Sequence, residues 1–545
     1  MVRACRPKSG RFSIFLDDLL LFFAYDCAIL PQASPPKHPG MPLATMNILS
    51  CSAIRQIEAD AIAGVDAFGL MENAARQIAD AIKASYPVPG RCIAYAGTGN
   101  NGGDALSVAR QLAAAGWTVQ VRLASAPEQL GELARRQWGL LQAAAGSGLL
   151  PSGEPPLPQP GPAVLLDGLL GSGAHGELRG RVADLCAEIN ALRLRWGQAA
   201  VWAVDVPTGL DAETGDADPQ AVRADVTAAI ACVKPGMLAD EASPLVGRLV
   251  CVPLAGLDIP ASPDAVLDSD MLSPLLTGRP RELYKNSAGR VAVIAGSVGM
   301  LGAARLCSEA ALRAGAGLVV LYCLPDSYPL LAASAAPEIM VKRVASYREI
   351  DEEDARALLI GPGLGQLPPI EQMALHATVS TFDGTVVLDA DGLNMAAERG
   401  WSFGGNVILT PHLGEMRRLL HEHVPLPRCE MARRFLNAHD ATLVLKGART
   451  LIATRQGYLF NSSGGPAMAT AGEGDVLAGT CAGLAAQGMA PRYAAALAVY
   501  ACGVASDLAC RTADGRSLTA GGTLAKLGAA FRAIAWRTPV AATLP

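Results

Sequence analysis

One arrangement recurs along most of this 545-residue chain: a short apolar run, a glycine or an acid directly after it, then a segment with helical spacing. Cys92 to Ala96 leads into Gly97-Thr98-Gly99-Asn100-Asn101-Gly102-Gly103-Asp104, followed by helical spacing through Val108, Leu112 and Ala115. Val164 to Leu166 ends in Asp167, and Val201 to Val204 ends in Asp205. In the second half Arg290 to Ala295 runs into Gly296, and later runs end at Gly361, Asp389, Thr410 and Lys446. Strands that are apolar throughout are buried on both faces, as parallel strands joined by crossover helices are. The chain is therefore expected to be α/β. Its length is too great for one ordinary core, and no sequence repeat relates the halves.

In open α/β sheets, ligands bind outside the carboxyl ends of the strands, where these glycines and acids fall. The Asn100-Asn101-Gly102-Gly103-Asp104 run is specific, because packing needs neither two amides nor an acid in a turn. In the second half the stretch Gly464 to Gly479, GGPAMATAGEGDVLAG, reads as a glycine turn opening a helix. The first amides of a helix lack partners and its dipole favours anions, so this turn is a phosphate seat. Asp475 stands at that helix start, within reach of a bound phosphate, and is a candidate base. The competing reading makes Asp475 an N-cap only, and Asp167 and Asp205 loop caps only.

Composition narrows the field. Half the residues are apolar, 57 are Gly and the formal charge is −5, with basic residues scattered, so nucleic acid is not an expected partner. The 13 cysteines form no C-x-x-C pair and no Cys/His cluster, which fits a reducing cytoplasm and neither zinc nor disulfides. Residues 1–45 are a separate case. Phe12 to Leu30 is apolar, but Asp17, Asp18 and Asp26 interrupt it, so neither a membrane span nor a signal peptide is expected. A Pro-rich stretch from Pro31 to Pro42 follows, and Met41 and Met46 offer later starts, so this extension is expected to be irregular and dispensable. Gly256 to Pro280 is rich in Pro, Ser and Asp, which marks 263–280 as a loop-like linker between independent cores.

GTGNNGGD, DGLLGSG and DVPTGLD, with Leu70-Met71-Glu72-Asn73-Ala74 upstream, resemble the YjeF N-terminal domain, the NAD(P)H-hydrate epimerase family. The resemblance implies a Rossmann-like three-layer α/β/α domain over 46–262 and a potassium ion on Asn101, Asp167 and Thr208. It also implies a substrate site formed by Asn100, Asn101, Gly102, Gly103 and Asp104, by Gly171, Ser172, Gly173, Ala174, His175, Gly176 and Glu177, and by Asp205. Asp205 is the residue expected to assist epimerisation. Ala105 replaces a glycine usual in the family, which strains the turn only if its φ is positive.

GPGLG, LDADGLN, LTPHLGE, LKGART and MATAGEGDVLAG resemble, in order, the ADP-dependent NAD(P)H-hydrate dehydratase branch of the ribokinase-like fold. That implies a second α/β domain over 281–545. The nucleotide, with Mg²⁺, would lie on Lys446, Gly447, Ala448, Arg449, Thr450 and Gly474, and the hydrate on Ala303, Gly363, His412 and Asp475. The charge of Glu473 beside a phosphate seat has no evident purpose. Both families in one chain resemble the bifunctional NAD(P)H-hydrate repair enzymes, whose substrates are NADH hydrate, NADPH hydrate and ADP. A cytoplasmic homo-oligomer without membrane or nucleic-acid partners is expected.

The chemistry asked of the second site is phosphoryl transfer onto the ring-carbon hydroxyl of a hydrated nicotinamide. It needs a base at the hydroxyl and N–H or cationic donors around the phosphate. Two rival readings use the same residues: a small-molecule kinase of the same fold, and a first domain that binds ligands without catalysis.

Overall fold

The computed structural model describes residues 46–62, 66–86, 88–145, 149–150, 161–197, 199–254, 256–257 and 259–538. The expectations for residues 1–45 lie outside the described residues.

The first domain is built on β1 (Arg91–Ala96), β2 (Thr118–Leu123), β3 (Leu149–Leu150), β4 (Ala163–Gly168), β5 (Ala199–Val204), β6 (Val226–Ile230) and β7 (Arg248–Val252). All pairings are parallel, in the order β3-β2-β1-β4-β5-β6-β7. The order reverses between β1 and β4, and the register pairs Ala96 with Gly168 there. The turns after β1, β4 and β5 are thereby neighbours at a topological switch point. Helices Ala67–Ser85 and Asn100–Ala114 cover one face through Ile78, Ile82, Leu106 and Leu112. Gly180–Arg195 covers the other through Leu185, Ile189 and Leu192, completing three layers. Ala105 lies inside Asn100–Ala114 at negative φ, so its methyl group introduces no strain.

The second domain carries β8 (Ala265–Val266), β9 (Arg290–Ile294), β10 (Leu318–Cys323), β11 (Ile339–Arg343), β12 (Ala355–Ile360), β13 (Thr385–Leu388), β14 (Val407–Leu409), β15 (Thr442–Leu445), β16 (Leu451–Thr454) and β17 (Gly457–Phe460). Their order is β11-β10-β9-β12-β13-β14-β15-β16-β17-β8. The run from β11 to β15 is parallel, and β15-β16-β17 is an antiparallel meander. Helices Leu301–Arg313, Glu473–Ala486, Pro491–Cys510 and Ala520–Ala535 pack on one face. Gly479 and Gly483 let the first two touch, since an added Cβ would stand 2.1 Å from Cys307 O and 2.3 Å from Ala311 O. Pro491–Cys510 is long and apolar enough to cross a membrane, but it lies inside this core.

The expected linker is not loop-like. β8 pairs with β17, the Leu267 N–H donates to Phe460 O at 2.8 Å, and Leu267, Met271, Leu272 and Leu275 are buried in the second core. Periodicity missed it because β8 has only two residues, and edge pairing alone specifies it. Nor are the cores independent. Val206, Leu210, Met237, Leu238 and Val246 share one apolar cluster with Ile294, Leu388, Leu409 and Leu445. Arg248 pairs with Asp507 at 2.7 Å across the same boundary, and Arg428 pairs with Asp240.

Candidate active sites

In the first domain the carboxyl ends of β4 and β5 face one centre. Asp167 is fully buried; its Oδ1 accepts from the Thr208 hydroxyl at 2.7 Å and from Leu169 N–H at 3.2 Å. Its Oδ2 accepts from Thr208 N–H at 2.8 Å. Among the described residues no ion pair reaches Asp167, and burial pushes its carboxyl up to about 6 against those bonds. Asn101, in the first turn of its helix, donates through Nδ2 to Leu170 O at 2.8 Å. Its Oδ1 is buried without a partner among the described residues. An added Cβ on Gly171 would stand 3.7 Å from that Oδ1, so the DGLLGSG turn closes over it. An orphan amide oxygen, a hydroxyl and an uncompensated carboxylate are the donor set of a hard monovalent cation. The three residues expected to hold potassium do come together and fit it.

A cavity of about 570 Å³ opens beside this cluster, lined by Gly171, Ala174 to Glu177 and Thr208 to Asp211. Of the residues expected to hold substrate, Gly171 and Ala174 to Glu177 face this ligand-sized space, while Ser172, Gly173, Asn100 to Asp104 and Asp205 do not line it. His175 Nδ1 lies 2.8 Å from Asp211 Oδ2, and Glu177 is exposed beside Arg179 at 3.5 Å. Backbone donation from Thr214 holds Asp211 down at about 2. Asp205 follows β5 with φ 64°, a conformation uncommon outside glycine. Its Oδ1 is bound by the ammonium of Lys234, a residue the sequence reading passed over. A lone Lys in the apolar run Val226 to Leu238 was the available signal.

In the second domain, helix Glu473–Ala486 begins at Gly472, whose φ of 93° only glycine takes freely. Asp475 is in the first turn and is not the N-cap. No side chain or amide among the described residues bonds its carboxylate. Burial, then the neighbouring Asp389, raise it to about 6, with Lys446 opposing. Lys446 Nζ lies 2.9 Å from Asp389 Oδ1 and 3.9 Å from Glu415 Oε2. Burial would pull that ammonium down, but Asp389 and Glu415 outweigh it, so it stays charged. Gly474 roofs the pair: an added Cβ would stand 3.4 Å from Lys446 Nζ. Asp389 and Glu415, neither of them an expected site residue, thus belong to the site.

His412 caps helix Leu413–Leu420, its Nδ1 accepting from Gly414 N–H at 2.9 Å and Glu415 N–H at 3.3 Å. An accepting Nδ1 assigns the proton to Nε2, which makes half-exposed His412 a donor and not a base. Ala303 and Gly363 adjoin, since a Cβ on Gly363 (φ 60°) would stand 3.1 Å from Ala303 Cβ.

Two expectations change here. The Arg449 side chain is buried and donates to first-domain carbonyls, Met237 O at 2.7 Å and Gly247 O at 2.6 Å, so it does not reach a nucleotide. Lys446, Gly447, Ala448 and Thr450 remain in the loop beside the site. Glu473 turns away from the phosphate seat and accepts from the Thr523 hydroxyl at 2.7 Å. Burial raises its carboxyl, so it is a packing group and not a charge beside phosphate.

The sequence model of the NAD(P)H-hydrate dehydratase family matches residues 291–521, and that of the YjeF-related protein N-terminus matches 67–236. The bifunctional NAD(P)H-hydrate repair enzyme of Coxiella burnetii is 36% identical over 484 residues, 86% of this chain and 96% of its own length. The chain belongs to the bifunctional NAD(P)H-hydrate repair enzyme family. The Escherichia coli family member is 33% identical, with 83% of this chain and 87% of its own covered. Among solved structures, an ADP/ATP-dependent NAD(P)H-hydrate dehydratase of Bacillus subtilis, co-crystallised with ATP/Mg²⁺, has a TM-score of 0.44 at 29% identity. It covers 49% of this chain and 98% of its own. As a repair enzyme of this family, the chain joins an epimerase domain to a dehydratase domain on two α/β folds.

Proposed function

We propose that the two sites act in turn on one metabolite, hydrated NADH or NADPH, with ADP as the phosphoryl donor to the S epimer. Asp475 carries this reading. It combines an unbonded, partly desolvated carboxylate with the open first amides of its helix and the Lys446 ammonium. Asp475 takes the proton of the carbon-6 hydroxyl, and that oxygen bonds to the terminal phosphorus of ADP as the bond to AMP breaks. Orthophosphate then leaves with the C–O electron pair, pushed by ring nitrogen 1, and loss of a carbon-5 proton restores the dihydropyridine. His412 Nε2–H serves as a donor to the hydrate, with Ala303 and Gly363 beside it. The loop Lys446 to Thr450 and Gly474 hold the nucleotide, through Lys446 and backbone, with Arg449 as anchor. Asp389, Glu415 and Asp475 face a single Lys446, an excess of negative charge that suits Mg²⁺ held through one or two carboxylates and phosphate. Bound there, Mg²⁺ supplies charge neutralisation on the transferring group.

In the first domain, Asp205 assists interconversion of the epimers, so that R hydrate reaches a stereospecific second site. Carbon 6 carries both the hydroxyl and nitrogen 1. Removing the hydroxyl proton lets the C6–N1 bond open to an aldehyde, and reclosure on the other face returns the proton. Asn100 to Asp104 and the Gly171 to Glu177 loop hold the substrate, and K⁺ on Asn101, Asp167 and Thr208 fixes the turns around it. The enzyme is cytoplasmic and homo-oligomeric on this reading. Purified protein given both epimers and ADP should restore all the 340 nm absorbance, releasing AMP and orthophosphate. A stable phosphorylated hydrate would identify a kinase instead, and recovery of one epimer only would leave the first domain non-catalytic.

A further inference from the structure

Lys234 is the most buried basic group among the described residues of the first domain, its side chain 2% exposed. It follows β6 and reaches back under the end of β5, where its ammonium binds Asp205 Oδ1. The same Nζ donates to Ile230 O at 2.9 Å and Cys232 O at 3.2 Å. Three acceptors match the three protons of an ammonium, so Lys234 has none left for substrate. Asp205 also accepts from Ile230 N–H at 3.3 Å, again through Oδ1. No neighbouring group among the described residues bonds Oδ2, and the Asp205 side chain keeps 14% exposure. One oxygen is thus clamped from beneath and the other left open.

A buried Lys–Asp pair is a poor stability device. Its desolvation cost rivals its Coulombic gain, and apolar residues of like volume often serve as well. It is well suited to fixing a carboxylate in one rotamer. The Asp205 backbone needs such support, because its φ of 64° is held against the preference of a residue with a Cβ.

We propose that Lys234 is a positioning residue of the epimerase centre, holding Asp205 by Oδ1 so that Oδ2 is presented to the substrate hydroxyl. This rests on the role given to Asp205 above. Cys51, from helix Cys51–Ile62, feels the Lys234 charge, and Arg55 and Glu213 act on the same thiol. Burial pushes the Cys51 thiol up to about 11, so it does not titrate in the neutral range, and the Cys51 N–H donates to Glu213 Oε2 at 2.7 Å.

The test uses the full chain without ADP, so that the second domain is idle, and follows exchange of the resolved epimers by chromatography. Lys234→Met should lower kcat for epimerisation about 10²-fold with KM within a few-fold. Dehydration of the S epimer with ADP should stay within two-fold. Epimerisation within three-fold of the parent at every pH would overturn the proposal. Should Lys234→Met fail to fold with a lone buried carboxylate, the neutral pair Asp205→Asn/Lys234→Met decides the question. If Lys234 acts through Asp205, the double variant epimerises as Asp205→Asn alone does; a further tenfold loss refutes it. If Asp205→Asn itself retains full activity, the role of Asp205 is what fails. A slow Asp205→Asn beside a normal Lys234→Met sinks only the positioning role.

Discussion

The Arg449 guanidinium, set in the loop that follows β15 of the second domain, donates to Met237 O of the first at 2.7 Å. Met237 is three residues from Lys234, and Arg449 is three from Lys446, so this bond ties the loops of the two centres together. Arg428 reinforces it by donating to Arg449 O while pairing with Asp240. Arg449→Ala removes donors from two carbonyls, Met237 O and Gly247 O, inside a closed interface. The expected loss is about 2–5 kcal/mol of stability, with a raised KM for ADP. Denaturant unfolding and ADP titration check both, and an unchanged midpoint would show that the interface does not need the clamp.

Asp475→Asn separates base from cap. Gly472 is the N-cap and nothing bonds the Asp475 carboxylate, so no capping interaction is lost. The variant should fold, bind ADP, retain epimerisation and lose roughly 10²–10⁴-fold in dehydration. Dehydration within a few-fold of the parent would move the search for a base to Asp389 and Glu415, since His412 is held as a donor.

The pH profile of dehydration follows from the same residue. Asp475 is raised to about 6 by burial and then by Asp389, so the rate should climb with pH through about 6. The sign for stability is opposite. A carboxyl raised above its unfolded value of about 3.9 favours folding fully only below that value, and the favour fades as pH rises to about 6. Asp475→Asn should therefore gain stability relative to the parent between about pH 4 and 6 and hold that gain above it. Thermal unfolding at several pH values checks this, and a parallel offset at all pH values would contradict it.

Potassium should stabilise the first domain through Asp167. Burial lifts that carboxyl to about 6, so without a cation its ionised form destabilises the fold above that pH. Replacing tetramethylammonium chloride by KCl at constant ionic strength should raise Tm at pH 7.5 in the parent and not in Asp167→Asn. Equal shifts in both proteins would place the cation elsewhere.

Cutting the chain inside the apparent linker should fail. A fragment starting at 281 lacks β8 and uncovers Leu459 and Phe460, whereas one starting at 263 keeps that edge. Both expose the apolar cluster shared with Val206, Met237 and Leu238, so both should self-associate, the shorter one more. Size-exclusion chromatography distinguishes them; a monomeric, active 281–545 fragment would restore the independence expected from the linker composition.

Local patterns in the sequence determined the α/β class and most strand ends, because a buried parallel strand is written in consecutive apolar residues and its ligand turn in glycines and acids. Asn101, Asp167 and Thr208, or Gly363, His412 and Asp475, were legible as parts of contiguous motifs. Tertiary structure alone decided what depends on which side chains meet. Arg449 carries no local mark that sends it across the domain boundary to Met237 O. Glu473 looks like a charge beside phosphate until Thr523, fifty residues on, takes it into the core. Lys234 reaches Asp205 from another strand end, and a two-residue β8 becomes a strand only because β17 offers its edge. Short-range periodicity records whether a residue is buried. Its partner is set by packing between distant segments, where the free energy of a buried polar group is decided.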